Sequence, residues 1–240
     1  MSYYDSNRRT PYGRIDVAAA VDAGLRAYMQ RVYSYMAGGL AVTGIVAYAA
    51  AASGFYQAIA GTPLIWIVML APLAFVLVIS FGIERMSAAT AAVLFWIYAA
   101  VMGLSLCGIF LVYTGTSIAR VFLITAATYG AMSLYGYTTR SDLSGFGSFL
   151  FMGLIGIVIA SLVNLFIGSN ILQFAISIIG VLVFVGLTAY DTQRIKQMYL
   201  ASDSPEIAGK KAVLGALALY LDFINLFMML LQLFGRRREN

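Results

Sequence analysis

The segment that decides the fold is Ala212–Phe234, AVLGALALYLDFINLFMMLLQLF, an apolar stretch interrupted near its middle by one carboxylate, Asp222. As a helix it is long enough to cross the hydrocarbon core of a bilayer, for which about 20 residues suffice. An aspartate at the centre of such a helix costs roughly 2.5–3.5 kcal/mol on an insertion scale, and such residues usually serve a function. Asp222 is therefore the first candidate site residue.

The composition of the whole chain agrees with a membrane protein. Of the 240 residues, 62% are hydrophobic and 10% are charged, whereas soluble domains are about half apolar and a quarter charged. The apolar stretches of spanning length are Val32–Ser53, Leu64–Ile83, Ala88–Tyr113, Ser117–Tyr137, Phe146–Gly168, Ile171–Tyr190 and Ala212–Phe234. They are continuously apolar and do not alternate as barrel strands do. The predicted fold is an all-α integral membrane protein with seven transmembrane helices.

The charged residues predict the topology. We expect a short polar, cytoplasmic tail over residues 1–25, a transmembrane domain over 26–235 and a basic tail over 236–240. Lys and Arg cluster before the first stretch, after the second and fourth, and between the sixth and seventh, while the intervening loops carry none. The positive-inside rule then makes the amino terminus cytoplasmic. Seven spans place Arg236–Arg238 on the outer side, against the same rule. The net charge of +5 thus indicates topology and lipid contact and does not predict nucleic-acid binding.

A second carboxylate, Asp191, closes the sixth apolar stretch. Ile195, Met198 and Tyr199 allow that helix to continue, which brings Asp191 inside the membrane face and toward the depth of Asp222. Two carboxyl groups that face each other in a low-dielectric site share one proton, because like charges repel. The chain contains no His, so this pair is its candidate pH sensor.

Each candidate also has a purely structural interpretation. Asp191 could be a water-exposed helix end, and Asp222 could be satisfied by Asn225, at i+3 on its face, or by Tyr220. Arg85, at the end of the second stretch, either latches onto an ionised aspartate or reaches the lipid headgroups. Because Ca²⁺ prefers oxygen ligands, transient calcium binding by Asp191 and Asp222 is a further prediction, with protons as competitors.

Three segments resemble signatures of the Bax inhibitor family, especially its bacterial YccA-like and YbhL-like members. They are Gly186–Gln193 (GLTAYDTQ), Gly215–Phe227 (GALALYLDFINLF) and Met132–Gly147 (MSLYGYTTRSDLSGFG). The resemblance extends from Leu25 to Gly235. It implies a bacterial inner-membrane protein whose last helix is surrounded by the other six, and a pH-sensitive calcium leak.

The same resemblance suggests roles for individual residues. Asp191 and Asp222 align with the family's pH-sensing aspartates, and Arg85 falls where a basic residue is proposed to latch the pair. We therefore predict a leak whose pore opens when partial protonation releases the Arg85 latch, with calcium as permeant ion and no resident cofactor. Bacterial relatives are also linked to the membrane-anchored protease FtsH, so the alternative is a regulator or substrate of such a protease without ion flux.

An enzymatic function is not predicted. Tyr190-Asp191 is similar to the first motif of presenilin-like intramembrane aspartyl proteases, whose chemistry uses two carboxyl groups with a shared proton. The second motif is absent, because Leu219-Tyr220-Leu221 precede Asp222 where Gly-x-Gly is expected. The lack of His excludes hydrolases that use a His base.

Overall fold

The computed structural model describes the backbone of residues 11–238 and the side chains of residues 21–238. Seven long helices follow one another in this part of the chain: α1 Pro11–Ala52, α2 Leu64–Gly82, α3 Ala88–Leu106, α4 Gly115–Thr138, α5 Ser144–Ile167, α6 Asn170–Gln197 and α7 Pro205–Phe234. Each contains a segment long and apolar enough to cross a membrane. Short helical segments at Phe55–Ile59, Ile83–Arg85 and Ile109–Val112 lie between them. The predicted all-α membrane fold with seven spanning helices is confirmed.

Several helices extend beyond the apolar stretches. α1 begins at Pro11, so that part of the predicted polar tail is helical. α7 begins at Pro205, where the side chain of Ser204 accepts a hydrogen bond from the backbone N–H of Ile207. Hydropathy marks only the membrane-embedded part of a helix, whereas a capping serine followed by proline sets its start.

α7 is the most buried of the seven helices. In the most apolar 18-residue segment of α7, 67% of the residues are buried inside the protein, compared with 44% in the corresponding segment of α6 and 11% in that of α2. It packs against α1, α3, α4 and α6. The Tyr220 ring lies edge-on to Phe95 and Tyr98 of α3, and its hydroxyl is 2.6 Å from Oγ1 of Thr43 in α1. Because α5 packs chiefly against α6, a complete ring of six helices around α7 stays a prediction.

The backbone that follows α7 is hydrogen-bonded to the loop between α3 and α4. The carbonyl of Arg236 accepts a hydrogen bond from the N–H of Thr114 at 3.0 Å, and the N–H of Arg238 donates to the carbonyl of Val112 at 2.9 Å. Arg236 and Arg238 therefore lie beside a loop that has no Lys or Arg. This placement agrees with an odd number of membrane crossings and with the predicted exception to the positive-inside rule.

Candidate functional site

The side chains of Asp191 and Asp222 meet between α6 and α7. Their carboxyl groups lie within hydrogen-bonding reach of each other. Asp222 is 5% exposed, and Asp191 is partly exposed. Because an ionised carboxylate has no hydrogen to donate, a hydrogen bond between the two groups would need a proton on one of them. The structure thus brings together the two aspartates that the sequence predicts as a pair.

One buried oxygen of Asp222, Oδ2, has no N–H or hydroxyl donor among the described residues. Leaving such a group unsatisfied costs about 1–3 kcal/mol. Asn225 does not relieve this cost, because its Nδ2 donates to the carbonyl of Leu221 at 2.8 Å. The Tyr220 hydroxyl bonds to Thr43. The predicted support of Asp222 by Asn225 or Tyr220 is therefore not observed, and Oδ2 is left to a proton, a water or a cation.

The pair borders a cavity of about 630 Å³ between α5, α6 and α7. Arg194, one turn beyond Asp191 on α6, and Asn225 also line it. The guanidinium of Arg194 is close enough to act electrostatically on the Asp191 carboxyl. In the described part of the chain, no third His, Cys, Asp or Glu joins the pair to form a metal-binding cluster. The site therefore combines two carboxyl groups, one amide and the exposed cation of Arg194 at a cavity between three long apolar helices.

Arg85 does not contact the pair. It ends the 3₁₀ turn Ile83–Arg85 after α2, its side chain is exposed, and it does not line the cavity. Within residues 21–238, the ion pairs are Lys210–Glu206 and Lys211–Asp203. α2 packs chiefly against α3 at the periphery of the bundle, which keeps Arg85 away from α6. The predicted latch contact is thus not made in this structure, and the cation beside the pair is Arg194.

Buried hydroxyl groups form a layer next to the pair that the sequence analysis missed. Thr192, adjacent to Asp191, lies 3.0 Å from Oγ of Ser133 in α4, and Ser133 is in turn hydrogen-bonded to Tyr33 of α1. Tyr129 of α4 donates to the carbonyl of Leu219 in α7 at 3.2 Å. Single hydroxyl residues are common in apolar helices, so only the position of Thr192 beside Asp191 could have indicated this layer.

The side chain of Gln193 in α6, the helix that carries Asp191, is hydrogen-bonded to the loop between α4 and α5. Its Oε1 accepts from the N–H of Leu143 at 2.9 Å, and its Nε2 donates to the carbonyl of Ser141 at 2.8 Å. The side chain is buried. One glutamine therefore satisfies two backbone groups of the loop and fixes the end of α5 that borders the cavity.

Comparisons with known proteins give consistent matches. The family model described as "Inhibitor of apoptosis-promoting Bax1" matches residues 25–239. "Inner membrane protein YbhL" of Escherichia coli (strain K12) is 50% identical over 231 residues, which cover 95% of this chain and 99% of the relative. "Uncharacterized protein RP147" of Rickettsia prowazekii is 50% identical over 219 residues, covering 91% and 93%. An uncharacterized membrane protein of Streptococcus pyogenes is 39% identical over 219 residues, covering 90% and 95%.

Proposed function

Because this chain belongs to the Bax inhibitor family, we propose that it is a pH-sensitive calcium leak protein of the bacterial inner membrane. The observation that carries the proposal is that the carboxyl groups of Asp191 and Asp222 face each other at one cavity among membrane-spanning helices. The location is supported by the Escherichia coli relative, which is named an inner membrane protein.

The oxygen atoms at the site suit a hard cation. Asp191, Asp222 and Asn225 all line the cavity, and the buried Oδ2 of Asp222 has no competing donor among the described residues. Ca²⁺ takes about 6–8 oxygen ligands, so these side chains supply only part of a coordination shell and water completes it. Such a weak, partly hydrated site favours passage of the ion over storage. Protons compete with Ca²⁺ for the same oxygens.

Protonation controls the charge that the pair presents to Arg194. With one proton, the two carboxyl groups share a charge-assisted hydrogen bond that joins Asp191 of α6 to Asp222 of α7, and Arg194, beside Asp191 on α6, favours the ionised form of Asp191. Acidification adds the second proton and replaces this hydrogen bond with a weaker one between neutral groups, which favours separation of the two helices. Calcium entry therefore increases as the pH falls. Arg194, and not Arg85, is the cation that acts on Asp191.

The leak is tested by calcium entry into proteoliposomes loaded with a fluorescent indicator. We expect entry to require the protein and to increase on acidification of the bath. Protein-free vesicles and vesicles with an unrelated seven-helix protein, at matched protein-to-lipid ratio, are the controls. Entry equal to that of the controls at every pH contradicts the leak and favours the protease-regulator alternative.

The paired carboxyl groups also fit a second reaction, peptide hydrolysis by an aspartyl dyad. Leu219 and Tyr220, which precede Asp222, are 0% exposed and helical, so they offer no extended backbone to a substrate peptide. We expect no binding of a hydroxyethylene peptide isostere, which mimics the tetrahedral intermediate of such proteases. Photocrosslinking of such a probe to α6 or α7, competed by the unlabelled compound, would establish the protease instead.

A further inference from the structure

A second and larger cavity, of about 940 Å³, lies between α1 and α4. α1 packs on α3 and α7, whereas α4 packs on α6 and α7. The space left between α1 and α4 is a groove, here called the α1–α4 groove. Its walls are mainly apolar and include Met36, Leu40, Phe122, Leu134 and Phe223. In a bilayer, such walls favour hydrocarbon over water.

One end of the α1–α4 groove is basic. Arg26 and Tyr137 line it there. Lys196 of α6 does not line the groove but lies against Tyr137 at its edge. The Lys196 ammonium is 4.9 Å from the centre of the Tyr137 ring and donates to the Tyr137 carbonyl at 2.8 Å. No Asp or Glu lines the groove. Asp22, one turn before Arg26, forms no ion pair with it within residues 21–238.

The groove has the length that a lipid chain needs. Arg26 and Ile45, which line it at opposite ends, are about 28 Å apart along α1 at ~1.5 Å per residue. One leaflet of a ~30 Å hydrocarbon core is only about 15 Å deep. An acyl chain of ordinary length therefore fits in the groove beyond a headgroup placed at Arg26.

We propose that the α1–α4 groove binds one phospholipid with an anionic headgroup. Its phosphate lies at the basic end with Arg26 and Lys196, and an acyl chain lies along the apolar walls. Like the groove, such a lipid carries its charge at one end and hydrocarbon along the rest of its length. A zwitterionic lipid has no net charge and is therefore attracted less strongly by the two cations. This site is distinct from the aspartate cavity, and its occupation does not depend on calcium flux.

Two glycines allow the groove to be blocked without disturbing the bundle. Gly44 of α1 and Gly130 of α4 line it, and a Cβ atom at either position meets no atom within 4 Å. Gly44→Leu and Gly130→Leu thus fill the groove from opposite sides. Gly156 of α5 is exposed, has the same open surroundings and does not line the groove. Gly156→Leu is the matched control.

The test is native mass spectrometry of the delipidated protein with added phosphatidylglycerol or phosphatidylcholine of identical acyl chains. We expect wild type and Gly156→Leu to retain one phosphatidylglycerol with roughly tenfold preference over phosphatidylcholine. Each groove-filling variant should lose this retention. Arg26→Gln and Lys196→Gln should reduce the headgroup preference while phosphatidylcholine still binds.

Circular dichroism and monodisperse elution establish that each variant is folded before its lipid retention is compared. Since the two groove-filling changes lie on different helices, one remains informative if the other fails to fold. Retention of phosphatidylglycerol by Gly44→Leu or Gly130→Leu at the wild-type level overturns the proposal. Equal retention of the two lipids by wild type overturns it as well.

Discussion

Asp222 stands in a helix of apolar and aromatic side chains, and its Oδ2 is buried without a donor from the described residues. Proteins tolerate such a cost where function requires the group. A neutral amide at this position can donate a hydrogen bond to Asp191. The cost of burying a charge is therefore specific to the acid and is avoided by the amide.

Asp222→Asn is expected to raise the free energy of unfolding by up to about 1 kcal/mol, because a neutral amide avoids the cost of a buried charge and can still donate to Asp191. Asp203→Asn is the matched control, since Asp203 is paired with Lys211 at 2.6 Å, and that change should destabilise. Thermal unfolding in detergent measures both. A larger loss of stability for Asp222→Asn than for Asp203→Asn would contradict this assignment.

Two buried tyrosines of one aromatic cluster should respond differently to loss of the hydroxyl. The Tyr220 hydroxyl is 2.6 Å from Thr43 Oγ1, whereas the Tyr98 hydroxyl has no partner among the described residues; both side chains are 0% exposed. We expect Tyr220→Phe to cost about 0.5–1.5 kcal/mol and Tyr98→Phe to be neutral or stabilising. Equal effects in thermal unfolding would show that the Thr43 contact does not contribute.

The aspartates could be predicted because a charged residue inside an apolar stretch can be recognised in the sequence without knowledge of the fold. Their neighbours could not. Arg85 and Arg194 are both basic residues near helix ends; Arg194 lies one turn beyond Asp191 on α6, whereas only the packing of α2 at the periphery shows that Arg85 stays away from the pair. Asn225 shares a helical face with Asp222, but its amide bonds to its own helix.

At the level of whole elements, the contact between α4 and α6 depends on a glycine. A Cβ atom at Gly136 would collide with the backbone carbonyl of Ala189, so the two helices could not approach as closely. We expect Gly136→Ala to cost about 1–3 kcal/mol through overpacking. Gly130→Ala on the same helix, with nothing within 4 Å, should be neutral or stabilising, as Ala favours a helix over Gly. Equal unfolding temperatures for both variants would contradict the close contact.

The loop between α4 and α5 should loosen without Gln193. Gln193→Ala leaves the N–H of Leu143 and the carbonyl of Ser141 without their partner, a loss of about 1–3 kcal/mol. Hydrogen exchange over residues 139–143 should accelerate. Gln197→Ala, at the exposed end of the same helix, is the control and should leave exchange unchanged. Unaltered exchange in Gln193→Ala would show that the loop is held by other contacts.

The number of spanning helices could be predicted from hydropathy, since a spanning segment needs a fixed length of apolar residues. Helix ends are less predictable. α6 continues through the polar residues up to Gln197, and the stretch Ala88–Tyr113 divides into α3 and the short helix Ile109–Val112. Backbone hydrogen bonding and capping determine these ends, and hydropathy does not report them.

In the molecule as a whole, α5, α6 and α7 are joined near the carboxyl-terminal end of α7 by a set of polar side chains. Oε1 of Gln232 in α7 accepts from Nε2 of Gln173 at 2.6 Å and from Oγ of Ser177 at 2.8 Å. Asn164 of α5 donates to Gln173 at 3.1 Å. This network and the aspartate pair lie at different levels of the same helices. Release of the pair should therefore move the aspartate end of α6 and α7 while the other end stays joined.

The role of the aspartate pair is tested most directly by calcium entry into proteoliposomes across a pH series. Wild type is compared with Asp191→Asn, Asp222→Asn, Arg194→Gln and Arg85→Ala at matched reconstitution. Wild-type entry should rise as the pH falls, and the pH dependence should shift or vanish in both Asp variants and shift in Arg194→Gln. Arg85→Ala should follow wild type, because its side chain is exposed and outside the cavity. Wild-type pH profiles in both Asp variants would contradict gating by the pair.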